Sequence, residues 1–320
     1  MVKYKILLII LLIIALSIFC TENNRPPEKW IYIPNYAMLN ISEVQNAVSS
    51  NDVICFTGVI ITDKGRIRFN KNPLIEKVLK RADESRKIIY PLIAFENSYT
   101  GKKILNSKAL IKKTAESIVK FASENGFPGY HLDLEYIDSS YAEKLLHFIK
   151  TVKASPGDLK LTMAIYPQIN FKSPYSGFHD ISLLAPYIDE AVIMCYDMHR
   201  PDTLPGPVTD ILWAEKNIIH TLEYFDPDQV ILGIPAYGYL WTDDSRAKAV
   251  SAKHGASLKK KYGSSRDKSG CVYIEYFSMG VKTAGYIADK ETENSMKILA
   301  EKYRLRGTAL WRAGFEENMK

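Results

Sequence analysis

The chain has 320 residues, of which 47% are apolar and 24% charged, so it can bury a large core and is neither disordered nor fibrous. Its 42 Lys and Arg residues only slightly exceed its 36 Asp and Glu residues, and this excess is spread along the chain. A dedicated nucleic-acid-binding protein is therefore not expected. The four cysteines form no CxxC pair and no histidines cluster at ligand spacing, so no metal site is predicted.

The first twenty residues are typical of an export signal. Lys3 and Lys5 precede an unbroken apolar run, ILLIILLIIAL (6–16), which is shorter than the roughly 20 residues that span a bilayer. The ending SIFC resembles the lipobox of bacterial lipoproteins, in which Cys20 would be lipidated, although Phe19 replaces the usual small residue. Lipidation, plain secretion and an uncleaved anchor all place the globular part outside the cytoplasm; the remaining alternative is a buried core helix.

From Trp30 onward, short apolar runs alternate with longer segments of helical period. Helices with one apolar face are predicted over 110–122 and 141–152. This alternation predicts an α/β fold, a (β/α)8 TIM barrel over 28–320, rather than an open doubly wound sheet. No G-x-G-x-x-G opens a helix after a strand, which disfavours a dinucleotide-binding fold. The eight predicted strands are 30–34, 52–61, 87–95, 129–135, 159–166, 190–196, 230–235 and 307–311.

One interval between predicted strands is too long for a simple connection. Residues 236–306 separate the seventh strand from the eighth, and they contain the strand-like run CVYIEYF (271–277) and a helix predicted from Glu293 to Tyr303. We expect residues 242–292 to form a small insertion on the rim of the barrel. The sequence contains no linker to a second domain, and a monomer is expected.

Ionisable residues gather where the fourth predicted strand ends. Because side chains alternate along a strand, His131, Asp133 and Glu135 share one face, at the end of the barrel where catalytic groups lie. Two carboxylates about 4 Å apart repel by about 4 kcal/mol at an effective dielectric constant near 20, so one should hold a proton near neutral pH. Such a carboxylic acid can protonate the leaving oxygen of a glycosidic bond.

Other strands direct further groups to the same end. The alternation sends Met194 and Tyr196 inward on the sixth strand, with Asp197 just beyond it, and Trp311 inward on the eighth. A phenol, a further acid and an indole beside a carboxylate pair suit a site that stacks and hydrogen-bonds a sugar ring. The aromatic residues after the seventh strand are expected either to line the cleft or to pack the rim: Tyr237, Tyr239 and Trp241.

Four of these segments resemble motifs of one known family. GYHLDLEY (129–136) resembles the D-G-x-D-x-D-x-E motif on the fourth strand of glycoside hydrolase family 18, the chitinase-type barrels. VIMCYDMH (192–199), ILGIPAYG (231–238) and GTALW (307–311) are similar to motifs on the family's sixth, seventh and last strands. The resemblance implies a substrate-assisted retaining glycosidase that acts on N-acetylglucosamine-containing polysaccharide and needs no cofactor.

The resemblance also implies a role for each matched residue. Glu135 matches the family's general acid, and Asp133 matches the carboxylate that orients the substrate's acetamido group. Tyr196 and Asp197 are expected to position that group. The residues expected to contact the substrate are His131, Met194, Tyr237 and Trp311, with Trp311 as the floor of the subsite.

Two motif positions depart from the family. Pro128 replaces the first Asp and His131 replaces the middle one. An imidazole can only donate a hydrogen bond to Asp133 or, when charged, hold it ionised. We hypothesise that His131 fixes Asp133 as an anion and makes activity depend on its own protonation. Glu190 and Asp210 are expected to be cap or surface residues, and the remaining histidines surface or core residues.

The leading interpretation is an exported or membrane-tethered glycosidase that cleaves β-1,4 bonds following N-acetylglucosamine units in peptidoglycan, chitin-type chains or glycans. One alternative is a carbohydrate-binding protein on the same scaffold, which the changes at Pro128 and His131 keep open. The other is a structural surface lipoprotein with a vestigial cleft. The presence of Glu135 favours the enzyme.

Overall fold

The computed structural model describes residues 26–242 and 245–317. Eight parallel strands form a barrel, which closes because β1 pairs with both β2 and the last strand, β14. The predicted (β/α)8 barrel is thereby confirmed. The predicted export segment, with Cys20, lies outside the described residues. The barrel strands are β1 Glu28–Ile33, β2 Val53–Ile61, β4 Ile88–Phe95, β5 Gly129–Leu132, β6 Lys160–Ile165, β7 Glu190–Ile193, β8 Val230–Pro235 and β14 Gly307–Trp311, and β3 Ile67–Phe69 extends β2 as an antiparallel edge.

Helices connect the strands and cover the outside of the barrel. Side-chain oxygens cap the first turns of most of these helices; Asp210, for example, accepts a hydrogen bond from the backbone N–H of Trp213 at 2.8 Å. In the described part of the chain, no helix is both long and apolar enough to cross a bilayer. The helices are α1 Ile41–Ser49, α2 Pro73–Glu84, α3 Ser98–Leu105, α4 Lys108–Glu124, α5 Ala142–Lys153, α6 Ile181–Leu184, α7 Ile211–Thr221, α8 Ala252–Tyr262 and α9 Lys290–Lys302.

The predicted insertion is a five-stranded antiparallel sheet with α8 packed on one face. The sheet begins five residues before the expected boundary, because β9 follows β8 after a single residue, Ala236. Its last strand ends at Ile287, and the following helix α9 starts at Lys290 behind a cap from Asp289. The strands of this sheet are β9 Tyr237–Thr242, β10 Ser245–Ser251, β11 Ser265–Arg266, β12 Val272–Ser278 and β13 Val281–Ile287.

Two barrel strands end well before their predicted last residues. β5 ends at Leu132 and β7 at Ile193, each three residues short of the expected end. The backbone leaves the regular ladder there, and it takes positive φ angles of 62° at Tyr136 and 57° at Asp197. These residues continue the chain at the open end of the barrel, where side chains need not follow strict alternation.

The opposite end of the barrel is closed by a buried ion-pair network, and this corrects the expectation for Glu190. The side chain of Glu190 is only 3% exposed and lies 2.6 Å from both Arg306 Nε and Lys160 Nζ. Arg306 also pairs with Glu28, Nη2 to Oε1, at 2.9 Å. Because a buried charge that loses its partner is costly, this network stabilises the floor of the barrel only while it is complete.

Replacing Glu190 by Gln should therefore destabilise the protein. The amide keeps the shape but leaves the cation of Arg306 with less compensating charge, and we expect a loss of about 3 kcal/mol in the free energy of unfolding. Urea denaturation at pH 7 measures it. Glu84→Gln, which breaks an exposed pair with Arg81, is the control and should leave the urea midpoint unchanged; an equal effect of the two substitutions would contradict the structural role of Glu190.

Candidate active site

The ionisable residues predicted at the end of β5 do meet at the open end of the barrel. Leu132 and Leu134 point outward into the core beneath the helices, so the intervening Asp133 and the following Glu135 face the barrel side. The Asp133 backbone N–H still donates to Ile93 on β4 at 3.0 Å, which anchors the residue beyond the end of its strand. Both carboxyl groups are partly exposed to the cleft.

Burial raises the pKa of both carboxyl groups. Desolvation is the first cause for each, and the nearby negative charge of Asp133 raises the pKa of Glu135 further, with a smaller effect from Asp197. A hydrogen bond from the Tyr166 hydroxyl opposes this by lowering the pKa of Glu135. Glu135 therefore holds a proton at neutral pH, beside an Asp133 that ionises first.

One oxygen of Asp133 has no hydrogen-bond partner. Its Oδ1 atom is buried and unpaired within the described residues. Leaving a buried acceptor unpaired costs about 1–3 kcal/mol, so such an atom in a cleft suits a donor supplied by a bound molecule.

Asp197 is held by two tyrosines from β9. Its Oδ1 accepts hydrogen bonds from the hydroxyls of Tyr237 at 2.5 Å and Tyr239 at 2.8 Å. Burial raises the pKa of Asp197 and these two bonds lower it. Tyr237, predicted to contact the substrate, thus holds Asp197 in place, and Tyr239 does the same. Sequence reasoning did not pair them with Asp197, because the insertion places β9 beside the end of β7.

His131 does not contact the cleft, and the hypothesis for it is wrong. The side chain is fully buried, with Nε2 3.0 Å from the Tyr32 hydroxyl and Nδ1 2.8 Å from Thr162 Oγ1. Thr162 donates its own proton to the Tyr130 carbonyl, so Nδ1 carries the imidazole proton and Nε2 accepts from Tyr32. Both nitrogens are occupied, and burial lowers the pKa of His131 to about 3. It is neutral at working pH and cannot hold Asp133 as an anion.

The remaining predicted residues line the site to different degrees. Tyr196 is 9% exposed. Burial raises the pKa of its hydroxyl, and the charges of Asp133 and Glu135 raise it further. Trp311 is partly exposed, its ring centroid lies 5.2 Å from that of Tyr32, and it packs against the buried cluster that contains Tyr196. Met194 is only 5% exposed and belongs to the same buried cluster as Tyr196, so it contributes packing rather than an open surface.

Gly233 allows the close approach of β7 and β8 under the site. A Cβ atom there would lie 2.6 Å from the carbonyl oxygen of Ile193 and 3.0 Å from the ring of Tyr196. A larger residue at this position would displace the phenol.

Two further residues at the site were not predicted. Tyr166, one residue beyond β6, has its hydroxyl beside Glu135 and lowers the pKa of that carboxyl group, and His179 stacks on the Tyr166 ring with centroids 4.6 Å apart. His179 was expected to be a surface or core residue, and it is indeed fully buried. The only indication in the sequence was the polar residue that ends the fifth predicted strand, Tyr166, and none of the family motifs lies on that strand.

A closed barrel with unpaired acids and aromatic residues at the carboxyl ends of its strands is the arrangement of a TIM-barrel acid–base site. The chain belongs to the glycosyl hydrolases family 18, whose family model matches residues 31–316.

Several known proteins are similar to this chain. A sequence relative is the uncharacterized glycosylase YvbX of Bacillus subtilis, 23% identical over 224 residues that cover 67% of this chain and 65% of the relative. The chain spans between half and two thirds of the length of the first curated relatives it matches. In fold, it resembles the spore cortex-lytic enzyme SleL of Bacillus cereus (TM-score 0.81, 20% identity, 92% of this chain and 72% of that one) and a chitinase of Chromobacterium violaceum (TM-score 0.82, 21% identity, 92% and 96%).

Asp133→Asn should lower the pKa of Glu135. Removing the neighbouring anion removes the repulsion that raises this pKa, so Glu135 should lose its proton at lower pH than in the wild type. Carbon-13 NMR of labelled glutamate carboxyls, with Glu135→Gln for assignment, measures the midpoint. Asp197→Asn is the matched variant and should shift the midpoint in the same direction but less; a rise in either variant would contradict the assigned charges.

His131→Gln should flatten the acid side of the stability curve. A histidine with a folded pKa of about 3 and an unfolded pKa near 6.5 takes up its proton only in the unfolded chain between these values. Stability that is present above pH 6.5 is therefore lost as pH falls, by roughly 2 kcal/mol between pH 7 and pH 5 for this residue. Urea unfolding at both pH values should show a correspondingly smaller loss in His131→Gln. The exposed His254→Gln is the control with wild-type behaviour, and a variant slope equal to the wild type would refute the buried neutral state.

Proposed function

We propose that the protein is a glycosidase that hydrolyses β-1,4 bonds following N-acetylglucosamine units, with retention of configuration and with the substrate's own acetamido oxygen as nucleophile. The observation that carries this proposal is the pair of Asp133 and Glu135. A protonated acid and an anion, both largely desolvated, lie at the open end of the barrel. This is the charge arrangement that acid-catalysed cleavage of a glycosidic bond requires.

The unpaired oxygen of Asp133 suits a 2-acetamido sugar. An acetamido N–H is a neutral donor, and a hydrogen bond to the buried Oδ1 atom would satisfy that acceptor while turning the acetamido oxygen toward the anomeric carbon. An anionic Asp133 also stabilises the positive charge that the acetamido group acquires when its oxygen bonds to that carbon. A sugar with a 2-hydroxyl group would bring no such nucleophile.

The other residues have distinct parts in this proposal. Glu135 protonates the departing glycosidic oxygen and, once ionised, removes a proton from the water that opens the intermediate. The Tyr196 hydroxyl donates to the acetamido oxygen, and Asp197, fixed by its two tyrosines, holds the same end of the sugar. Trp311 offers its ring face to the apolar face of the sugar.

The similar proteins support two kinds of polymer. One is a spore cortex-lytic enzyme and another is a chitinase. We therefore propose peptidoglycan and chitin-type chains as the substrates to compare, and incubation with each polymer followed by mass analysis of the released sugars distinguishes them.

Glu135→Gln should abolish turnover of a fluorogenic chito-oligosaccharide glycoside. The amide keeps the side-chain shape but has no acidic proton, and general acid catalysis contributes about 10²- to 10⁴-fold, so we expect a loss of at least about 100-fold in kcat. Glu124→Gln, at the exposed end of α4, is the matched control. Tight binding without turnover in the wild type would instead identify a carbohydrate-binding protein, and a loss of only a few-fold in Glu135→Gln would remove Glu135 from the role of acid.

A further inference from the structure

Tyr166 connects the carboxyl group of Glu135 to the backbone that follows it. Its hydroxyl accepts a hydrogen bond from the backbone N–H of Tyr136 at 3.2 Å, and its interaction with the Glu135 carboxyl group lowers the pKa of that group. Tyr136 has a φ of 62°, which a bulky residue rarely adopts. The same phenol therefore satisfies the strained peptide and lies beside the carboxyl group one residue earlier.

His179 holds Tyr166 in this position. The two rings are stacked with centroids 4.6 Å apart and planes 20° from parallel. Nδ1 of His179 accepts from the Tyr166 backbone N–H at 3.0 Å, so Nε2 carries the proton and donates to the carbonyl of Leu134 at 2.8 Å. This imidazole thus ties the end of β6 to the residue just before Glu135.

The Tyr166 ring has little room to move. Phe171 lies on it at 6.0 Å with planes 26° apart, in addition to the stacked His179. Tyr166 is 6% exposed and His179 is fully buried, so neither offers a surface to a bound glycan. Burial lowers the pKa of His179 to about 4, and it stays neutral at working pH.

We propose that Tyr166 and His179 are positioning residues for the general acid: Tyr166 binds one oxygen of Glu135 and leaves the other to carry the transferable proton, and His179 locks the phenol that does so. The proposal rests on the proposed function. Because the hydroxyl donates, the bound oxygen remains an acceptor in both protonation states, and the proton resides on the oxygen free to face the leaving group. When Glu135 becomes an anion, the same hydrogen bond stabilises it.

The pH dependence follows from every group that faces Glu135. Asp133 on its own segment and Asp197 beyond β7 are anions that raise its pKa, whereas the Tyr166 hydroxyl lowers it. The charge of Glu135 also helps to raise the pKa of three phenols, those of Tyr32, Tyr136 and Tyr196. These phenols are therefore neutral throughout the working pH range. Activity requires protonated Glu135, so its deprotonation sets the alkaline limb of kcat/KM.

Tyr166→Phe is the decisive variant, because it keeps the stacked ring and removes only the hydroxyl. We expect kcat to fall about 10- to 100-fold with KM nearly unchanged, since a misplaced acid affects the chemical step more than binding. The alkaline limb of kcat/KM should move to higher pH, because the bond that favours the anion is gone. Tyr303→Phe is the matched control, because it removes a hydroxyl that donates a hydrogen bond to Glu215 at 2.8 Å on the outside of the barrel.

His179→Phe tests whether His179 holds Tyr166 in position. It keeps an aromatic ring against Tyr166 and removes both hydrogen bonds, so kcat should fall and the alkaline limb should move in the same direction as in Tyr166→Phe. The double variant should lose no more than about twice the larger single loss, because both substitutions act on one hydrogen bond. A purely structural role would lower the folded fraction without moving the limb, and additive losses would overturn the shared action.

Carbon-13 NMR of the Glu135 carboxyl separates this proposal from the proposed function, since it needs no turnover. The titration midpoint should be higher in Tyr166→Phe than in the wild type or Tyr303→Phe. If the wild-type chain cleaves no glycan, the proposed function fails while a raised midpoint still supports the Tyr166 bond. An unchanged midpoint, or a Tyr166→Phe enzyme within twofold of wild-type kcat and with an unmoved alkaline limb, overturns the positioning role.

Discussion

The repulsion between two carboxyl groups that are largely removed from water is the constraint that organises this site. Asp133 and Glu135 follow one short strand with a single residue between them, and the barrel wall removes much of the water that would otherwise screen them. In the described part of the chain neither forms an ion pair with a cation, so the charge is relieved by a proton rather than by a partner. That proton is the reactive group in the proposed chemistry.

Charged side chains have different surroundings at the two ends of the barrel. At the closed end, Glu190 is paired with Arg306 and Lys160, and each charge of the network has a partner of opposite sign. At the open end the acids are unpaired, and the polar groups beneath them are neutral: His131 is bonded to a phenol and a hydroxyl, with its pKa held far below the working range. A charged imidazole below Asp133 would have weakened the repulsion that keeps Glu135 protonated.

Elements outside the barrel strands fix the acids in place. β9 of the insertion supplies the two hydroxyls that hold Asp197, and the segment between β6 and β7 supplies His179, which orders Tyr166 next to Glu135. The insertion is thus part of the site as well as a wall beside it. Tyrosine hydroxyls orient Asp197 and, in our proposal, Glu135, whereas Asp133 keeps an oxygen free for a ligand. The three carboxyl groups of the site therefore differ in their surroundings and in their chemistry.

The sequence by itself determined the barrel, its eight strands and the residues at their ends, because strand period, helix period and short connections are local properties of the chain. It also singled out Asp133, Glu135, Tyr196, Asp197 and Trp311, since alternation along a strand fixes which side chains share a face. Only the tertiary structure decided the partners. His131 shares the face of Asp133 but lies one layer deeper, where Tyr32 and Thr162 from other strands occupy both of its nitrogens, and Tyr166 reaches Glu135 across 31 positions of sequence. Such contacts depend on how neighbouring strands are staggered and where their ends bend, and no local pattern in the chain encodes that.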